Sequence, residues 1–98
     1  MTPVRLRAAA VRDLTEILSY SIETHGEAAA EAYLTDLDRA LDRVREFPEL
    51  GAARTDLNPL LRCLPCREHR IFYQFDGKSV SIVRVLHKAM DAEQRLEG

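Results

Sequence analysis

Apolar residues change their spacing twice along this chain, and each change predicts a different element. Val4-Arg5-Leu6 alternates after Pro3 and reads as a short first strand. From Ala8 the spacing is helical: Val11, Leu14, Leu18 and Ile22 recur at three- and four-residue steps, with Ile17 widening the stripe. Gly26, after His25, is placed to close this helix, because glycine tolerates the left-handed conformation found past a helix end. A second helix begins near Glu27, with Ala30, Tyr33, Leu37, Leu41 and Val44 on its apolar face and Asp36, Asp38, Arg39 and Asp42 opposite. Pro48 ends it, lacking an amide hydrogen and disfavouring helical geometry at Phe47. One glycine between two helices demands a tight antiparallel pair.

Glu49 to Pro59 reads as a connecting loop, punctuated by Gly51 and Asn58-Pro59. Strand patterns follow. Leu60–Cys66 contains Pro65, which suits an edge or a bulge. His69–Phe75 alternates, with Ile71, Tyr73 and Phe75 on one face and Arg70, Phe72 and Gln74 on the other. Asp76-Gly77 predicts a type I′ hairpin, and Ser79–His87 returns as a β-branched strand. Asp91–Gly98 is expected to form a short final helix. The predicted order is β-α-α-β-β-β, an α+β domain with a helical hairpin on one face of a small antiparallel sheet.

With 98 residues, 46% hydrophobic and 31% charged, the chain predicts one domain over residues 1–98 and excludes disorder. No apolar run approaches the ~20 residues that cross a bilayer, and Met1–Arg7 does not read as a signal peptide, so a cytoplasmic protein is expected. Net charge is −2, but residues 51–88 hold seven basic side chains against three acidic ones. That local excess suggests a surface for an anionic partner.

Three groups of residues are chemically suggestive. Cys63-Leu-Pro-Cys66 is followed by a strand rather than a helix, which is the wrong context for a redox pair. A zinc site would need Cys63, Cys66, His69 and His87, a spacing that matches structural zinc poorly. In an extended segment the two cysteines lie roughly 10 Å apart, so no disulfide and no metal are expected. His69 and His87 fall on flanking strands, where acid–base chemistry and simple packing both remain open. Arg62, Arg67, Arg70, Arg84 and Lys88 fall on or beside the sheet, and guanidinium groups grip carboxylate or phosphate in pairs of bonds. There is no glycine-rich phosphate loop, no helix-turn-helix spacing and no aromatic platform, so sequence-specific nucleic-acid binding is not expected.

An arginine near the start, Asp13-Leu14-x-x-Ile17, Tyr20, Phe47-Pro48-x-x-Gly51, Arg70-Ile-Phe-Tyr-Gln-Phe75 and Ile82-Val-Arg-Val-Leu-His-Lys-Ala-Met-Asp91 follow in this order. The series, covering nearly the whole chain, resembles the ParE toxins of the RelE/ParE superfamily. The resemblance implies the fold just derived, and a growth-arresting toxin held inactive by a ParD-type antitoxin in a hetero-oligomer. It also implies DNA gyrase as target, whereas RelE relatives cut mRNA on the ribosome. Those ribonucleases tend to carry Tyr, or His-Tyr, after the last strand; here Lys88 follows His87, and Lys88–Gly98 has no aromatic residue. A ribonuclease would draw on Glu68, Arg70, Arg84 and His87. The gyrase reading implies instead a protein-binding inhibitor without a cofactor, using Arg62, Arg67, Arg70, Arg84, His87, Lys88, Met90 and Asp91 toward antitoxin or target. Exposed apolar surface on the helical hairpin is expected to accompany such a partner.

Overall fold

Two helices, α1 (Ala8–His25) and α2 (Glu27–Glu46), are joined by the single residue Gly26 at φ 92° in the computed structural model, which describes residues 1–58 and 60–97. Pro59 and Gly98, read above as a loop break and the end of the tail, lie outside the described residues. Gly26 serves both helices: its N–H donates to the Ile22 carbonyl at 3.0 Å, and its carbonyl accepts from Ala30 at 3.2 Å. At the far end of α2 the Phe47 N–H closes onto the Arg43 carbonyl at 2.7 Å, and Pro48 stops the ladder.

The hairpin packs on a five-stranded sheet in the order β1-β5-β4-β3-β2. The strands are β1 (Val4–Leu6), β2 (Ala52–Ala53), β3 (Leu61–Cys66), β4 (His69–Phe75) and β5 (Val80–His87), and α3 (Ala92–Glu97) follows. Two features go beyond the predicted pattern. The 49–59 loop contains β2, whose two alanines carry no alternation to read; it pairs only with Arg62 and Cys63, so Pro65 lies beyond its reach. β1 runs parallel to β5, which makes the sheet mixed rather than wholly antiparallel. The β4–β5 connection also differs from the type I′ turn expected at Asp76-Gly77. Only Gly77 has positive φ there, at 93°, while the Asp76 carboxylate accepts from the Lys78 and Ser79 N–H groups, each at 2.8 Å. This side-chain turn replaces the tighter backbone turn. Those two amides, Ser79 foremost, hold the Asp76 carboxyl below the usual carboxylate range.

Both faces of the sheet are covered. Tyr33, Leu37, Ala40 and Val44 of α2 pack on Leu64, Cys66, Ile71, Tyr73, Val80, Ile82 and Val85. On the opposite face Leu61, Cys63, Phe72 and Leu86 form a second cluster, closed by Leu57, Val83, Ala92 and Leu96. The shift of register between Phe72 and Tyr73 leaves Val83 as the extra residue of β5, so that Ile82 and Val85 both face the helices. α1 is turned relative to its apolar stripe: Ala10, Asp13 and Ser21 are its buried residues, while Val11 and Ile22 remain 49% and 46% exposed.

Tyr73, fully buried, pins the loop after α2. Its hydroxyl donates to the Pro48 carbonyl at 2.8 Å and accepts from the Gly51 N–H at 2.7 Å. A Cβ on Gly51 would lie 2.7 Å from both a ring carbon and the hydroxyl of Tyr73, so only glycine fits. Arg62 completes the clamp, donating to the Gly51 and Glu49 carbonyls at 2.8 and 3.0 Å. The Phe47-Pro48-x-x-Gly51 series thus has a physical reason. Tyr73→Phe leaves the Gly51 amide without its buried acceptor and should cost about 1–3 kcal/mol. Thermal unfolding is the check, with a drop of roughly 4–8 °C per kcal/mol expected for a domain of this size.

Candidate functional site

β1 pairs with β5 only as far as Ile82, which leaves the lower half of β5 without a strand on that side. α1 runs past this open edge and supplies Asp13. Its carboxylate accepts from Arg84 Nε at 2.7 Å, from Arg84 Nη2 at 2.9 Å and from the Val85 N–H at 2.9 Å. One buried side chain therefore caps a strand edge and holds a guanidinium by two parallel bonds. Asp13 in turn keeps the Arg84 guanidinium above its ordinary pKa. The remaining Arg84 nitrogen, Nη1, donates to the Arg95 carbonyl at 3.1 Å, so α3 is tied to the same group.

Beyond Asp13 the helical hairpin overhangs the end of the sheet and roofs a groove of about 980 Å³. Ile17, Tyr20, Ala29, Val85 and Met90 supply apolar walls. A tyrosine and two histidines occupy the inner end. Tyr33 hydrogen-bonds through its hydroxyl to His69 Nδ1, with the ring centroids 5.4 Å apart and perpendicular. His69 is the register partner of His87, and these rings also meet edge to face at 5.3 Å. The Ala89 N–H donates to His87 Nδ1 at 3.0 Å, which makes that nitrogen an acceptor and places the His87 proton on Nε2. Burial, reinforced by His87, pushes His69 below its usual range, and burial drives the Tyr33 hydroxyl well above its own. His69 Nδ1 lies nearer the Tyr33 oxygen than the Cys66 carbonyl does at 3.4 Å, so the phenol hydrogen goes to the ring, with Tyr33 the donor and His69 the acceptor. Arg67 covers the outer face of Tyr33, its Cζ 5.1 Å from the ring centroid, while its Nε bonds Asp36 at 2.6 Å. It does so from a turn position with φ 51°, where glycine is more usual.

Arg67, Glu68, Arg84, His87 and Met90 line this groove, together with His69. The other residues singled out by sequence lie elsewhere. Lys88 pairs with Glu68 at 2.8 Å on the exposed rim. Asp91 caps α3, its Oδ1 accepting from Glu93 and Gln94 at 3.1 and 3.4 Å. Arg62 is engaged by the loop carbonyls. Arg70, exposed, lies on the sheet face opposite His69 by strand alternation. Of the four groups a ribonuclease would draw on, Glu68, Arg84 and His87 line the groove, with Arg84 held by Asp13 and Glu68 by Lys88, while Arg70 is across the sheet.

Cys63 and Cys66 fall in opposite core clusters, and burial pushes both thiols up. Among the described residues no group of three or more His, Cys, Asp or Glu side chains could hold a metal. Tyr33 reads from its spacing as an apolar-face residue and is buried as such, but the spacing gives no sign of its hydroxyl bond to His69; Tyr20 stands in the motif series without a role that sequence alone assigns.

The ParE toxin model of the type II parDE toxin–antitoxin system matches residues 4–92. Toxin ParE1 of Mycobacterium tuberculosis is 36% identical over 92 residues, which is 93% of this chain and 94% of that protein. Toxin ParE1 of Caulobacter vibrioides is 33% identical over 96 residues, covering 98% of this chain and 99% of its own. A chain of the chromosomal ParDE toxin–antitoxin system from P. aeruginosa superposes with a TM-score of 0.76 at 20% identity, covering 89% of this chain and 96% of that chain. The last likeness is one of fold. The chain belongs to the ParE toxin family.

Asp13→Ala should leave the Arg84 guanidinium without its counter-charge and the Val85 amide without an acceptor. Removing one partner of such a pair is expected to cost about 3 kcal/mol. Urea unfolding of the variant against the parent chain measures it, with the midpoint falling and the slope unchanged.

Proposed function

We propose that this ParE-family chain is the toxin of a type II toxin–antitoxin pair, that it arrests growth in the bacterial cytoplasm by binding DNA gyrase, and that a ParD-type antitoxin neutralises it in a hetero-oligomer. The observation that carries this reading is the apolar surface left on the hairpin. Val11, Ile22 and Leu34 are 49%, 46% and 40% exposed, and Tyr20 at the groove mouth is 65% exposed. Apolar side chains left exposed along a helical hairpin suit a partner better than they suit solvent. The P. aeruginosa neighbour, a ParDE system, supports a ParD-type protein as that partner. No described helix is long and apolar enough to cross a membrane.

Binding rather than catalysis is favoured because Arg70 lies across the sheet from Glu68, Arg84 and His87, and because Arg84 and Glu68 are already paired. Among the candidate cations, Arg62, Arg67, Arg84 and Lys88 already have partners. The Arg70 side chain makes no hydrogen bond or ion pair among the described residues and is the cation we assign to the target. Arg67, His87 and Met90 line the groove and are assigned to the antitoxin.

Induction of the chain should produce gyrase-dependent DNA breaks and filamentous cells while ribosome-bound mRNA stays intact. Arg70→Glu should weaken inhibition of purified gyrase roughly tenfold, as the loss of one interfacial arginine does, with an unchanged melting temperature. Cleavage of mRNA in a translating extract, with gyrase supercoiling untouched, contradicts the proposal.

A further inference from the structure

The histidine pair at the inner end of the groove differs from the other cationic groups around it. Arg67 already holds Asp36, Arg84 holds Asp13 and Lys88 holds Glu68. Neither His69 nor His87 lies within ion-pair distance of a carboxylate among the described residues. Each uses its Nδ1 as an acceptor, His69 from Tyr33 and His87 from Ala89, so the nitrogen left to each ring is an Nε2–H donor. Apolar walls enclose them, which strengthens any charge pair formed inside.

We propose that the groove receives an antitoxin carboxylate side chain, flanked by an apolar residue, at His69 and His87, and that the complex takes up a proton as it forms. The inference rests on the toxin–antitoxin reading above.

Tyr33 gives His69 a place for that proton. The Tyr33 hydroxyl also lies 3.4 Å from the Cys66 carbonyl. When His69 Nδ1 gains a hydrogen it donates to the Tyr33 oxygen, and the phenol hydrogen turns to Cys66 without movement of either ring.

The surrounding charges set the sign. On α1, Asp13 is neutralised by Arg84, and Glu16, Tyr20 and His25 line the outer groove. Tyr33 faces His69 from α2, while Arg67 and Glu68 do so from the β3–β4 turn; Cys66 precedes that turn, Lys88 pairs Glu68, and Arg95 comes from α3. Glu68 and Asp13 favour a charged His69, but burial and then His87 outweigh them, so His69 sits below its ordinary 6.5 in the free toxin. A carboxylate brought into contact raises it. Binding is then strongest at low pH and weakens as pH rises through the raised value, by at most about tenfold per pH unit for one proton.

Isothermal titration of the full chain with the full-length ParD-type protein of the same operon, in buffers of different ionisation enthalpy, counts the protons. The expected result is uptake of up to one proton near pH 7 and affinity about tenfold higher at pH 6 than at pH 8. His69→Gln should still bind, with both effects lost. Tyr33→Phe, which removes the oxygen that accepts the new hydrogen, should reduce the uptake and serves as the test if the glutamine variant fails to fold. A complex whose heat is independent of buffer, or equal uptake in His69→Gln, overturns the inference while leaving the toxin–antitoxin reading intact. No complex at any pH overturns both.

Discussion

The contact between Asp13 and Arg84 decides how the helical layer sits on the sheet. β5 has a parallel neighbour for only three residues, and an uncapped strand edge is an invitation to further pairing. Asp13 answers the Val85 amide directly and holds the guanidinium of the residue before it, 71 positions away in sequence. Because an aspartate reaches a strand edge only at close range, α1 is drawn in with its small residues Ala10 and Ser21 toward the core. The stripe containing Val11 and Ile22 is turned outward as a consequence. The polar contact that fastens the helix thus also creates the exposed apolar surface.

The same constraint shapes the groove. α1 and α2 continue past the end of the sheet because Gly26 joins them at the tip, well beyond the last contact of Asp13 with β5. Tyr33 comes down from α2 onto His69, and the cross-strand register brings His87 alongside. Arg67 covers the tyrosine from a left-handed turn position, a strained placement made tolerable by its pair with Asp36 and its contact with the ring. Arg84, through the Arg95 carbonyl, links this region to α3 and the second core.

Periodicity makes much of this legible in the sequence alone. Both helices, the glycine joining them, the stop at Pro48 and the three long strands were readable because each is a local pattern. β2 was not, since two alanines carry no pattern, and neither was the parallel pairing of β1, which depends on where the hairpin lands. Asp76-Gly77 marked the turn but not its type, because the Asp76 carboxylate took amides that a tighter turn would have used otherwise. At the site, His87 and Arg84 were visible as residue types while their roles were not. Arg84 looked like a free cation until Asp13 was placed against it, and Tyr33 looked apolar until its hydroxyl met His69. The local rules fail chiefly where an aspartate is buried and aliphatic residues are exposed, the places where function and folding compete for the same surface.

Hydrogen–deuterium exchange of the toxin alone and in complex with its ParD-type partner tests most directly whether the turned-out hairpin and the groove beneath it form one binding face. Slowed exchange is predicted in α1 and the first half of α2, in the Arg67–His69 turn and in His87–Met90, with little change in β2 and α3. Protection confined to the opposite sheet face, around β2 and α3, would contradict it.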